Sequence, residues 1–116
     1  MEVNWSKRFT EDITYYVKKK KYMKIREDVI PVVAALRTGN LVGDKLDNIP
    51  LAEGTAAYKV RTANSSTGVG KSNGFRIIYY LAVGDEIYLL TIYSKKDDNR
   101  IPNNNQIMMM IKDILK

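Results

Sequence analysis

Three cations on two short stretches set the chemistry open to this chain: Lys59 and Arg61 in Tyr58-Lys59-Val60-Arg61, and Arg76 in Gly74-Phe75-Arg76. Tyr58 to Arg61 alternates in polarity, and Phe75 to Leu81 is β-branched and aromatic, so both read as strands. The glycine-rich residues 63–73 between them read as a flexible hairpin loop. In an antiparallel pair the end of the first strand lies beside the start of the second. Arg61 is therefore expected next to Arg76, with Lys59 one pair further along. Like charges this close are destabilising unless each meets a carboxylate or the group binds an anion. Few acids lie nearby in sequence, which points to phosphate; the competing reading of Arg76 is an ion pair with Asp97.

Gly70-Lys71-Ser72 also matches the end of a nucleotide-binding phosphate loop. That loop needs Gly-x-x-x-x-Gly-Lys-Ser/Thr between a strand and a helix whose amides cradle phosphate. Here Ser65 stands at the first glycine position, and the residues that follow, Phe75 to Leu81, are strand-forming. The glycines are instead expected to place Lys71 at the tip of the hairpin loop. The third strand, Ile87 to Tyr93, runs on into Ser94-Lys95-Lys96, adding cations and a tyrosine of the kind that hold phosphates and stack bases.

Composition narrows the chemistry further. The chain of 116 residues has no cysteine and no histidine. Disulfides, thiol nucleophiles, the usual zinc sets and Ser-His-Asp triads are thereby excluded. Acid–base work falls to Asp, Glu, Lys and Tyr, with Arg as a permanent cation. A formal net charge of +6 favours a polyanionic partner. No apolar run approaches the roughly 20 residues that span a bilayer, and the first residues lack a signal-peptide core. The expectation is one cytoplasmic domain over residues 1–116, without cofactor, metal or membrane.

The elements that must position these residues follow from periodicity. Residues 3–8 read as a first strand, and Thr10 as the cap of a helix extending to Lys24. Lys18, Lys19, Lys20, Lys21 and Lys24 give that helix a basic face. Asp28 reads as the cap of a second helix with Pro31 in its first turn, ending near Gly39-Asn40. That helix should turn Val32, Val33, Ala35 and Leu36 inward. Three strands, ending at Tyr93 and turning at Gly84-Asp85, form an antiparallel meander. Ile107, Met110, Ile111 and Ile114 mark a closing helix after Asn103, with Met108 to Met110 as core filling. The class is α+β: an N-terminal strand and helical hairpin packed on a small antiparallel sheet, then a C-terminal helix.

The run from Ala57 to Arg61, Gly70 to Leu81 and Asp85 to Asp97 resembles the RelE superfamily of bacterial type II toxins, particularly its HigB-like members. The order of elements resembles that family over nearly the whole chain, and the specific signals lie in residues 57–97. The resemblance implies a fold like a small microbial ribonuclease and cleavage of messenger RNA in the ribosomal A site. It also implies a cognate antitoxin, with operator DNA bound only through that antitoxin. Lys59 falls on the family's cationic strand position, Arg61 where founding members carry a second lysine, and Arg76 on the phosphate-binding arginine. Lys96 stands where founding members have arginine, and Lys71 lies in the longer loop of HigB-like forms. The tyrosine that those members place towards the last helix has no counterpart after Asp97, which leaves Tyr93 as substitute.

Cleavage without metal requires 2′-OH attack on phosphorus, a base, charge stabilisation and a proton for the leaving oxygen. Arg61 and Arg76 suit charge stabilisation, and because arginine keeps its proton the base candidates are Lys59 and Lys71. Lys96 is the candidate proton donor. Tyr93 is a stacking or relay group, with a plain core residue as the other reading. Lys18 to Lys21, Lys24 and Lys95 would dock on ribosomal RNA or message. The rival function is a non-cleaving binding module, either a ParE-like gyrase inhibitor or a decayed toxin acting with its antitoxin as repressor. A metal-dependent nuclease would want clustered carboxylates, for which Asp97-Asp98 is a weak signal.

Overall fold

A computed structural model describes all residues, 1–116. The chain runs β1 (Glu2–Trp5), α1 (Lys7–Lys18), α2 (Ile25–Arg37), β2 (Asp44–Lys45), β3 (Ala56–Thr62), β4 (Phe75–Leu81), β5 (Glu86–Ser94) and α3 (Asn104–Ile114). The five strands form one sheet in the order β1-β5-β4-β3-β2. The α+β class, the strand followed by two helices, the β3-β4-β5 meander and the closing helix are as expected. The sheet, however, is mixed rather than antiparallel, because β1 joins β5 in parallel, Val3 opposite Ile87. No helix is long and apolar enough to cross a membrane.

Alternation along the strands gives the sheet two covered faces. On the first, Phe9, Ile13 and Tyr16 of α1 and Val29, Val32 and Leu36 of α2 bury Val60, Phe75, Ile77, Tyr79, Ile87 and Leu89. On the second, Ile107, Met110 and Ile111 of α3, with Ile49, cover Ala57, Ile78, Tyr80, Leu90 and Tyr93. Of the three consecutive methionines only Met110 is buried, while Met109 is exposed. Asn103 starts α3 with a reciprocal cap: its side chain accepts from Gln106 N, and the Gln106 side chain accepts from Asn103 N, both at 2.8 Å.

Three helix boundaries differ from the sequence reading. Ser6, not Thr10, caps α1: its hydroxyl accepts from Phe9 N at 3.1 Å, since pairing with β5 carries the chain straight from strand into helix. The helix stops at Lys18 rather than Lys24, because Lys21 adopts φ 61°, a left-handed conformation that ends a helix. α2 starts three residues before Asp28, leaving Pro31 inside it. Asp28 is drawn into a tertiary role instead. Its carboxylate accepts from Ser65 N at 3.1 Å and its carbonyl from Thr62 Oγ1 at 2.7 Å. The loop it holds, expected to be flexible, is ordered by an Asn64–Val69 bridge and a 3-10 turn at Lys71–Asn73.

One buried carboxylate ties the layers together. Asp12 of α1 is 1% exposed. One oxygen accepts from Arg100 at 2.7 Å and from Arg8 at 3.1 Å. The other accepts from Thr91 Oγ1 and from Ile92 N. Those last two residues follow a β-bulge: Ile77 pairs with Ile92 but Tyr79 with Leu89, so β5 carries one extra residue. Arg100 also stacks on Tyr15, 3.8 Å from the ring centroid.

Removing this carboxylate strands a half-buried guanidinium, a buried hydroxyl and a buried amide. Asp12→Ala is expected to cost about 3–5 kcal/mol in urea unfolding, against about 1 kcal/mol for Thr91→Val; a loss below that of Thr91→Val would remove Asp12 from its central place. Alkali tests the buried phenols. Burial raises the pKa of both Tyr16 and Tyr79. Their contribution to stability is therefore complete below the ordinary tyrosine value of about 10 and is lost as pH climbs above it. Chemical denaturation between neutral pH and pH about 11 should show this fall, and Tyr79→Phe should make it shallower.

A candidate anion-binding site at one end of the sheet

The hairpin geometry inferred from sequence holds. Arg61 lies directly opposite Arg76, and Arg76 directly opposite Tyr93, making one row across β3, β4 and β5. Directly opposed residues point to the same side of a sheet, here the second face. Lys59 is on that face too, two residues back along β3 and opposite Ile78. α3 and Ile49 cover the apolar part of the face but leave this end open: Lys59 and Arg61 are exposed and Arg76 is half-buried.

Tyr93 belongs to the row only because of the bulge. Strict alternation from Tyr88 and Leu90 would put Ile92, not Tyr93, on the second face. The extra residue reverses the phase, so Ile92 enters the helix-covered core and Tyr93 turns to the arginines. Tyr93 is 4% exposed, packed with Ile107, Met110 and Ile111 as well as facing Arg76. It is thus both a core residue and a member of the row.

The glycine-rich segment has a use that sequence reading missed: it holds Arg76. The guanidinium donates to the carbonyls of Lys71 and Ser72, each at 3.1 Å, and weakly to that of Phe75 at 3.4 Å. The turn presses on β3 at Gly74, where a Cβ would strike the Thr62 carbonyl. Residues 71–73 make a single 3-10 turn running directly into β4 through Gly74, so no helix stands behind Gly70-Lys71-Ser72. Lys71 sits at the return of the loop rather than at its tip, with its side chain exposed.

No carboxylate answers these charges. The ion pairs of the chain are Arg8–Asp12, Arg100–Asp12 and Lys116–Asp113. Asp97 does not take Arg76; it accepts from the Tyr16 hydroxyl at 3.3 Å instead. Asp44, brought beside Lys59 by the two-residue strand β2, is the nearest acid in register and forms no ion pair with it. Burial and the neighbouring Arg61 cation both lower the Arg76 pKa. Burial raises that of Tyr93, an effect that the Arg76 charge partly offsets. Near neutral pH the row therefore presents two guanidinium cations and a protonated phenol, a set that suits a phosphate and the charge that develops on it.

The remaining expected residues cluster at the same end but beyond this row. Lys96 shares a cavity of about 80 Å³ with Lys20, Tyr16, Tyr22 and Asp97, on the helix side of the sheet. Lys18, Lys19, Lys21, Lys24 and Lys95 are exposed. The link after α1 is tied to the hairpin loop, Lys24 N donating to Ser66 Oγ at 2.9 Å. The basic stretch and the arginine row thus meet at one end of the molecule, on different sides of the sheet. The largest cavity, about 840 Å³, lies between β1 and α3 and is lined by none of these residues. In comparisons with known proteins, no family model and no curated protein matches the chain.

Proposed function

We propose that the chain is a metal-independent endoribonuclease, the toxin of a type II toxin–antitoxin pair, cutting messenger RNA in the ribosomal A site in the cytoplasm. The observation that carries the nuclease reading is the Arg61–Arg76 pair, directly opposed across two strands on an open face and unanswered by any carboxylate. The toxin reading rests on the sequence resemblance. In this mechanism a base takes the 2′-OH proton and the 2′-oxygen attacks phosphorus. The P–O5′ bond then breaks and the leaving oxygen takes a proton, giving a cyclic phosphate and a 5′-OH. Arg61 and Arg76 stabilise the phosphorane.

Lys59, on the same face as the row, is the base candidate favoured by position, and Lys71 the other. Tyr93, protonated at neutral pH and opposite Arg76, is better placed than Lys96 to give the leaving oxygen its proton. Without histidine the chain should be a poor nuclease on free RNA. The ribosome would supply alignment, with the cations of the α1 end docking on ribosomal RNA. A second reading, a non-cleaving binding module, draws on the three carbonyls that Arg76 already engages.

Primer extension on a reporter message, in cell-free translation with and without ribosomes, separates the two. Cleavage should depend on ribosomes, survive EDTA, leave cyclic phosphate ends and fall roughly 10²-fold or more in Arg76→Ala. Tyr93→Phe should slow cleavage without changing the cut sites. Translation blocked without cuts, by protein whose circular dichroism is native, would overturn the nuclease reading in favour of the binding module.

A further inference from the structure

The outer side of α2 carries a stripe that is exposed except at Val33, which is half-buried against the core. Arg26, Ile30, Val33, Ala34 and Arg37 follow one another at i, i+4, i+7, i+8 and i+11, which is one face of a helix. Ile30 is 62% exposed, and Trp5 at the end of the edge strand β1 is 41% exposed. Between them lies a groove of about 260 Å³ whose lining is apolar except for two arginines. Those arginines stand at the two ends of the stripe, about three turns or ~16 Å apart. Neither has an acid within ion-pairing distance.

An apolar stripe at helical spacing is what a partner helix packs against, and the small Ala34 lets its backbone come close. The charges decide the occupant. A second copy of this chain would set arginine against arginine whether the two α2 helices ran parallel or antiparallel, and each chain carries a net +6. The geometry points to a partner protein's amphipathic helix, with an apolar face bounded by two acidic residues about three turns apart. Lys59, Arg61, Arg76 and Tyr93 line no part of this groove, and they lie on the other face of the sheet. A helix bound here leaves the arginine row uncovered, and the inference is independent of the nuclease reading.

Trp5 is the single tryptophan, so the site carries its own fluorophore. The probe is a synthetic amphipathic helix of about 18 residues, with leucines on one face and two glutamates about three turns apart. Its helicity, and the folding of each variant, are checked by circular dichroism. Saturable binding with a shift of Trp5 emission is expected. The Arg26→Glu/Arg37→Glu double variant should weaken binding roughly tenfold or more, and a peptide with lysines in place of the glutamates should restore it. Absence of saturable binding, or affinity indifferent to the charge reversal, would overturn the proposal. So would sedimentation equilibrium showing a dimer that Ile30→Asp dissolves, since the occupant would then be a second copy.

Discussion

The Asp12 carboxylate is the constraint on which the other features of this molecule depend. A charge this deeply buried is tolerable only when its lone pairs are taken, and here the donors come from three separate parts of the chain. Arg8 is on the same helix, Thr91 and Ile92 lie in β5, and Arg100 lies in the turn beyond it. The carboxylate thereby fixes α1 against β5 at the point where β5 gains its extra residue. The bulge in turn decides which side chains of the last strand segment face the helices and which face the arginines. A structural ion cluster on one side of the sheet thus sets the chemistry offered on the other.

The candidate anion site is held by backbone as much as by side chains. Arg76 is oriented by carbonyls of the turn that precedes it, and that turn rests against β3 through the missing Cβ of Gly74. A guanidinium held this way loses little freedom when it meets an anion, which is how a preorganised site gains over a flexible lysine. Arg61 has no such support and is exposed, so the two arginines contribute differently: one as a fixed fork, the other as an adjustable charge.

Much of this was legible in sequence wherever a local period governed the outcome. Tyr58 to Arg61, Phe75 to Leu81 and Ile87 to Tyr93 alternate or run apolar as strands do, and antiparallel pairing alone placed Arg61 by Arg76. The helix starts misled because Thr10 and Asp28 are good capping residues whose positions were settled by tertiary contacts: β1 pairing carries the chain into Ser6, and Asp28 is engaged by the hairpin loop. Lys21 gave no warning, since a left-handed lysine looks like any other. The bulge is invisible to a period-two reading, so the meander could bring Tyr93 towards the patch but could not set it opposite Arg76. Parallel pairing of β1 and the brief β2 are long-range events with no local signature.

That parallel pairing has a consequence for how the chain is made. Glu2 to Trp5 have no partner until Glu86 to Leu89 exist, so β1, made before every other strand of the sheet, is among the last to be zipped into it. Contacts of such wide sequence separation are slow to close. Until then α1 has no bulge for Asp12 to hold, and Tyr93 has not joined the arginines. A growing chain therefore lacks the assembled row until β5 has been made. Any activity that depends on that row begins only once Tyr93 has been made and paired.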